Sequence, residues 1–167
     1  MKMICNASPL IILAQTERLL LLNQLFDTVM VPEAVWNEVR LHGLDSPVTT
    51  ALTQAHDKGV FEIFHVANRL AVNTMLGRLH LGEIETIIGS HEINSDGVIL
   101  DDLFARKKAK QMGLSVIGSV GIFIMAHKRG ILPDLMTVCD SLRTAKFRIS
   151  DELLKEILKA AEVKQIN

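Results

Sequence analysis

The chain has 167 residues, 49% of them apolar and 22% charged, with a formal net charge of −1. That length fits one domain with a real core. The near-neutral balance argues against a coat protein that holds nucleic acid through a bulk basic excess. Cys5 and Cys139 form neither a CxxC pair nor another metal-ligand spacing, and read as reduced thiols acting as small hydrophobes. Gln15, Glu17 and Arg18 arrive too early for a signal peptide, and no run reaches the roughly 18–20 apolar residues of a membrane span. A soluble cytoplasmic protein with no membrane partner is expected.

In chain order, Met3 to Cys5 is a short strand candidate. Ser8-Pro9 opens a helix, with Ser8 as its cap and Pro9 in its first turn. A second helix is expected over Arg18 to Phe26, and the β-branched run Thr28 to Val31 is a strand that Pro32 ends. Helices follow over Glu33 to Leu41 and from Ser46-Pro47 to Lys58, with Gly43 and Gly59 as their stops. Val60 to Val66 alternates like a strand, and helical patterns cover Arg69 to Leu76 and Gly82 to about Ile93. Gly97 to Leu100 is a buried strand with Asp101-Asp102 at its end, followed by a helix over Leu103 to Met112. Leu114 to Ile117 is the last strand, and Gly118-Ser119 leads into a helix over Val120 to Arg129. Two more helices are expected over residues 133–145 and 150–163.

Strands alternating with helices predict an α/β fold: three α/β/α layers around a mostly parallel sheet. Residues 1–130 would form the main domain, and 131–167 a helical extension packed on it. In such folds functional groups gather at the carboxyl ends of the strands. Those places hold Asn6 and Ser8, then Glu33 and Glu38, then Asp101 and Asp102, with Glu83 and Glu85 opening another helix. Mg²⁺ and Mn²⁺ prefer oxygen donors and are commonly held between carboxylates from separate segments. Each residue also has a plainer explanation. Glutamates in a first turn favour the helix dipole, Glu38 suits a solvated face, and the aspartate pair can cap the next helix.

The segments Ile4 to Ile11, Val31 to Val39, Leu81 to Ile87, Ile99 to Arg106 and Gly118 to Gly121 occur in an order that resembles the PIN-domain family. In particular the order resembles that of a prokaryotic PIN-like branch related to the VapC toxins. The likeness covers roughly residues 3–130, and Phe147 to Ser150 in the tail also fits. The resemblance implies a parallel sheet flanked by helices and a Mg²⁺- or Mn²⁺-dependent ribonuclease site. It also implies a small antitoxin protein as partner and a homodimer or higher homo-oligomer. Matched by motif, the first-strand acid falls on Asn6, the helix acid on Glu38, the third on Glu85 or Glu83, and the last on Asp101 with Asp102 beside it. Glu38, Glu85 and Asp101 would be catalytic, and Ser8 and Ser119 match polar positions near metal and phosphate. The family's first residue is usually Asp; Asn6 offers an amide oxygen without the charge, which predicts weaker metal binding.

Arg106, Lys107, Lys108 and Lys110 form a basic patch directly after the acidic pair, suited to RNA phosphates or simply to a solvated face. With no Tyr, one Trp and six Phe, an aromatic platform for single strands is not expected. The histidines show no zinc spacing, and neither a GxSxG elbow nor a phosphate-binding glycine loop occurs. Leu19 to Leu22 exceeds what one amphipathic face needs and predicts a buried helix or a subunit interface, the interface being favoured. Leu153, Leu154, Ile157 and Leu158 stand at helical spacing, as for packing on the main domain. The leading expectation is a metal-dependent endoribonuclease. The alternatives are a PIN-fold nucleic-acid-binding or regulatory protein that is weak or inactive in catalysis, and a receiver-like domain.

Overall fold

The computed structural model describes residues 1–41 and 46–144, together with positions 157 and 159. Five strands form one all-parallel sheet: β1 (Lys2–Cys5), β2 (Thr28–Pro32), β3 (Glu62–Phe64), β4 (Gly97–Ile99) and β5 (Val116–Ile117). Their spatial order is β3-β2-β1-β4-β5. The connecting helices are α1 (Ala7–Gln15), α2 (Leu21–Leu25), α3 (Glu33–Leu41), α4 (Pro47–Asp57), α5 (Arg69–Thr74), α6 (Leu81–Glu92), α7 (Leu103–Gln111), α8 (Ser119–Lys128) and α9 (Met136–Thr144).

The strands are short apolar runs because both faces of the sheet are covered, as a parallel sheet requires. Alternation then assigns each residue to one of two cores. Met3, Cys5, Val29, Val31 and Ile99 pack on the side of α1, α2, α8 and α9. Ile4, Val98 and Leu100 pack on the side of α6 and α7. This is the three-layer α/β/α arrangement that the alternating elements predict. From β1 the chain builds outward to β2 and β3, then crosses back to add β4 and β5 on β1's free side. The helices after β1 and β4 therefore leave on opposite faces, opening a crevice at the carboxyl ends of those two strands. Asn6 and Asp101 stand at those ends.

Several element bounds differ from the sequence reading, each for a local reason. The first helix begins at Ala7 with Asn6, not Ser8, at its N-cap. The helix expected from Arg18 shrinks to α2, because the Arg18 and Leu19 carbonyls accept from Leu21 and Leu22, three residues on, in turns rather than in an α-helical ladder. β3 is shorter than Val60 to Val66, since its partner β2 ends at Pro32 opposite Phe64. In the leucine run, Leu19, Leu21 and Leu22 are core residues and only Leu20 is exposed, so most of the run packs inward rather than at a subunit interface. Leu132, Leu135, Val138, Leu142 and Ile157 join the same core as α1. The helix expected at 150–163 and its linker otherwise lie outside the described residues. Among the described residues no helix is long and apolar enough to cross a membrane.

β4 and β5 approach closely at Gly97, where an added Cβ would stand 2.7 Å from the Ser115 carbonyl oxygen. A backbone oxygen cannot swing aside. Gly97→Ala is expected to cost about 1–3 kcal/mol, lowering the melting midpoint by about 2–12 °C at about 2–4 °C per kcal/mol. A thermal melt matching wild type would contradict this strand contact.

Candidate metal centre

α6 has its N-cap at His80 and Gly82 in its first turn. A Cβ built on Gly82 would lie 2.9 Å from Glu38 Oε2, 3.2 Å from Val35 Cγ2 and 3.3 Å from Asn6 Oδ1. Three segments distant in sequence thus meet over one backbone position, and a residue without a side chain leaves the space between them open.

Asn6 is 6% exposed, and its Oδ1 is buried with no hydrogen-bond partner. It sits at the N-cap of α1 with extended backbone angles yet makes no side-chain cap bond. An Asn there ordinarily accepts from a first-turn amide, worth about 1 kcal/mol. Leaving a buried acceptor unsatisfied costs about 1–3 kcal/mol. An oxygen that forgoes both bonds beside a carboxylate has the character of a cation ligand.

Glu83 completes the group. It is buried, and its Oε2 accepts from the His80 backbone N–H at 2.9 Å. Burial pushes its carboxyl above the ordinary range, and the charges of Asp102 and Glu38 push in the same direction; the His80 N–H opposes them. Among the described residues no set of three His, Cys, Asp or Glu side chains is arranged to hold an ion by itself. Mg²⁺ keeps several waters and needs only one or two carboxylates. The Asn6 amide oxygen, Glu38 and Glu83 therefore fit such an ion without a closed protein cage.

Asp101 leaves β4 beside this group. Its Oδ1 accepts from the Ser119 N–H at 2.8 Å, and its Oδ2 accepts from the Ser119 hydroxyl. The carboxylate thereby ties the end of β4 to the first turn of α8. Burial, reinforced by the Asp101 charge, holds the Cys5 thiol well above its ordinary value, so that charge stands close to the end of β1.

The chain matches the PIN-domain family over residues 2–163. It is a PIN-domain protein. No curated protein and no solved structure matches it. PIN domains have a nuclease-type fold, are generally dependent on a divalent metal and imply nucleic-acid binding.

Within this PIN domain the residues singled out by sequence part company. Asn6 and Glu38 converge over Gly82, and Glu83, the next residue, feels the charges of Asp102 and Glu38. Glu85 does not join them. Two positions along a helix is a turn of about 200°, and Glu85 instead meets Arg69 Nη1 at 2.5 Å and the Ala34 N–H at 3.3 Å. It fastens α5 and the start of α3 to α6. Asp102 is exposed and caps α7 through the Ala105 N–H at 2.8 Å. Ser8 is exposed on the first turn of α1, whereas Ser119 is buried beneath Asp101. Arg106 donates to the Leu100 carbonyl at 3.1 Å. With Lys107, Lys110, Leu103 and Gln111 it lines an open groove on α7. Arg69 went unnoticed in the sequence, although a glutamate inside the apolar run Ile84 to Ile88 signals a cation nearby.

The raised Glu83 carboxyl has a pH consequence. Between the ordinary carboxylate value and the raised one, the folded chain binds more protons than the unfolded chain, so stability falls as pH rises through that window. Glu83→Gln keeps an acceptor for His80 and removes this loss. In chelator the variant should melt above wild type near neutral pH. The gap should close below about pH 4. A gap that is constant with pH, or that reverses, would contradict the assignment.

Proposed function

We propose that this PIN domain is a Mg²⁺- or Mn²⁺-dependent endoribonuclease that hydrolyses RNA phosphodiester bonds, and that it is the toxin of a toxin–antitoxin pair. The observation that carries the ribonuclease reading is the unpartnered, buried Asn6 oxygen facing Glu38 across Gly82. The toxin role is supported by the resemblance to the VapC-related branch. A small antitoxin and a homodimer or higher homo-oligomer belong to the same proposal, as does a cytoplasmic location. We also propose that residues 131–167 extend the main domain, which the family match across residue 130 supports.

Asn6, Glu38 and Glu83 would hold the ion. Mg²⁺ or Mn²⁺ bound there supplies neutralising charge at the phosphate and a water of lowered pKa. The Glu83 oxygen that His80 leaves free is the one available to the ion. Asp101 fixes the Ser119 hydroxyl and N–H at the rim of the crevice. Arg106 and Lys107 would hold flanking phosphates, and Glu85 with Arg69 positions the helices that carry Glu38 and Glu83.

Asn6 favours a second reading. An uncharged ligand where the family usually has Asp suits a PIN-fold nucleic-acid-binding or regulatory protein of weak or absent catalysis. Cleavage of RNA with and without Mn²⁺ separates the two. The ribonuclease reading predicts metal-dependent cleavage, reduced about 10–100-fold in Asp101→Ala, and lost in Glu38→Gln. RNA binding without cleavage in wild type would move the conclusion to the second reading. Metal titration supplies an independent readout: Mn²⁺ should raise the melting midpoint of wild type and not that of Gly82→Ala, whose methyl group fills the space between Asn6 and Glu38.

A further inference from the structure

We propose that Arg78, laid on the ring of Phe104, grips the RNA backbone at the mouth of the acidic crevice; this rests on the ribonuclease reading. Arg78 stands two residues before His80, the N-cap of α6, and Phe104 two residues after Asp102, the N-cap of α7. The guanidinium carbon lies 4.3 Å from the ring centroid. One contact therefore bridges the two helix starts that carry Glu83 and Asp102.

Arg78 is exposed, and among the described residues it makes no ion pair, although carboxylates stand at both helix starts. A guanidinium lying face-down on a ring keeps its in-plane N–H edge open. That edge is the one that meets phosphate oxygens in a fork, and the ring settles its orientation before any ligand arrives. Such a cation also answers an electrostatic need. Glu38, Glu83, Asp101 and Asp102 make the crevice negative, and a polyanion approaching it is repelled unless the rim carries positive charge. Arg106, Lys107 and Lys110 line the groove on α7, and Arg106 reaches back to the Leu100 carbonyl at the end of β4. Arg78 adds a further cation there, brought from the segment before α6 rather than from α7. The phosphate track would then run along α7 and past the acids.

The test is fluorescence anisotropy of a labelled single-stranded RNA with the full chain in EDTA over a salt series. Wild type is compared with Arg78→Ala, Phe104→Leu and Lys58→Ala, the last removing an exposed cation at the turn that enters β3. Thermal melts confirm folding. Arg78→Ala should weaken binding about 5–10-fold at low salt and reduce the slope of log K against log[salt] by about 0.7, one single-strand phosphate contact. Phe104→Leu should weaken binding less and keep the slope, since the charge remains. Lys58→Ala should bind like wild type. If wild type binds and Arg78→Ala matches Lys58→Ala, Arg78 is no phosphate ligand while the ribonuclease reading stands. Absence of RNA binding by wild type overturns the Arg78 proposal, while the ribonuclease reading is decided by cleavage with Mn²⁺.

Discussion

The parallel pairing of β1 with β4 brings the strand ends that carry Asn6 and Asp101 to one edge of the sheet, and the rest of the crevice depends on it. Cys5 is in register with Ile99, and the Asn6 N–H donates to the Ile99 carbonyl at 3.1 Å. From that edge the chain departs to opposite faces, so nothing from either connection closes the gap between them. Glu38 arrives on α3, the helix that β2 feeds, and Glu83 on α6, the helix that leads into β4. α6 comes close to α3 at Gly82. A methyl group there would sit within 2.9–3.3 Å of a carboxylate oxygen, a valine methyl and an amide oxygen.

α6 makes the contrast with Asn6 clear. Every residue from Gly82 to Ser90 is buried, including four polar ones. All four are matched: Glu83 with the His80 N–H, Glu85 with Arg69 and Ala34, Thr86 with the Gly82 carbonyl at 2.7 Å, and Ser90 with Ser95 at 2.7 Å. Satisfaction of buried polar groups is the rule in folded proteins, and this helix obeys it fully. The unsatisfied oxygen lies one residue past β1, at the one point where carboxylates from other segments converge.

The order and type of the elements were legible because fully covered parallel strands leave unbroken apolar runs, and Gly and Pro punctuate them. The strand-end position of Asp101 was legible for the same reason. Face assignments were not. α6 is buried all round, so it has no apolar stripe to orient it, and Glu83 could not be told from Glu85 by pattern. Asn6 and Ser8 are both good cap residues, and the cap bond that would have distinguished them is absent. The Arg69–Glu85 pair joins separate helices, and the Arg78–Phe104 contact joins a loop to a helix; no local spacing marks either. The leucine run left a buried helix and a subunit interface open, and three of its four side chains turn into the core.

Backbone amide NMR during a substoichiometric Mn²⁺ titration addresses the site most directly, since a paramagnetic ion broadens only the signals around it. The amides of Asn6, Glu38, Gly82 and Glu83 should broaden first, with those of Asp101 and Ser119 close behind. Broadening that starts at exposed acids such as Asp27 or Asp134, and leaves Gly82 sharp, would show that these oxygens do not share a cation.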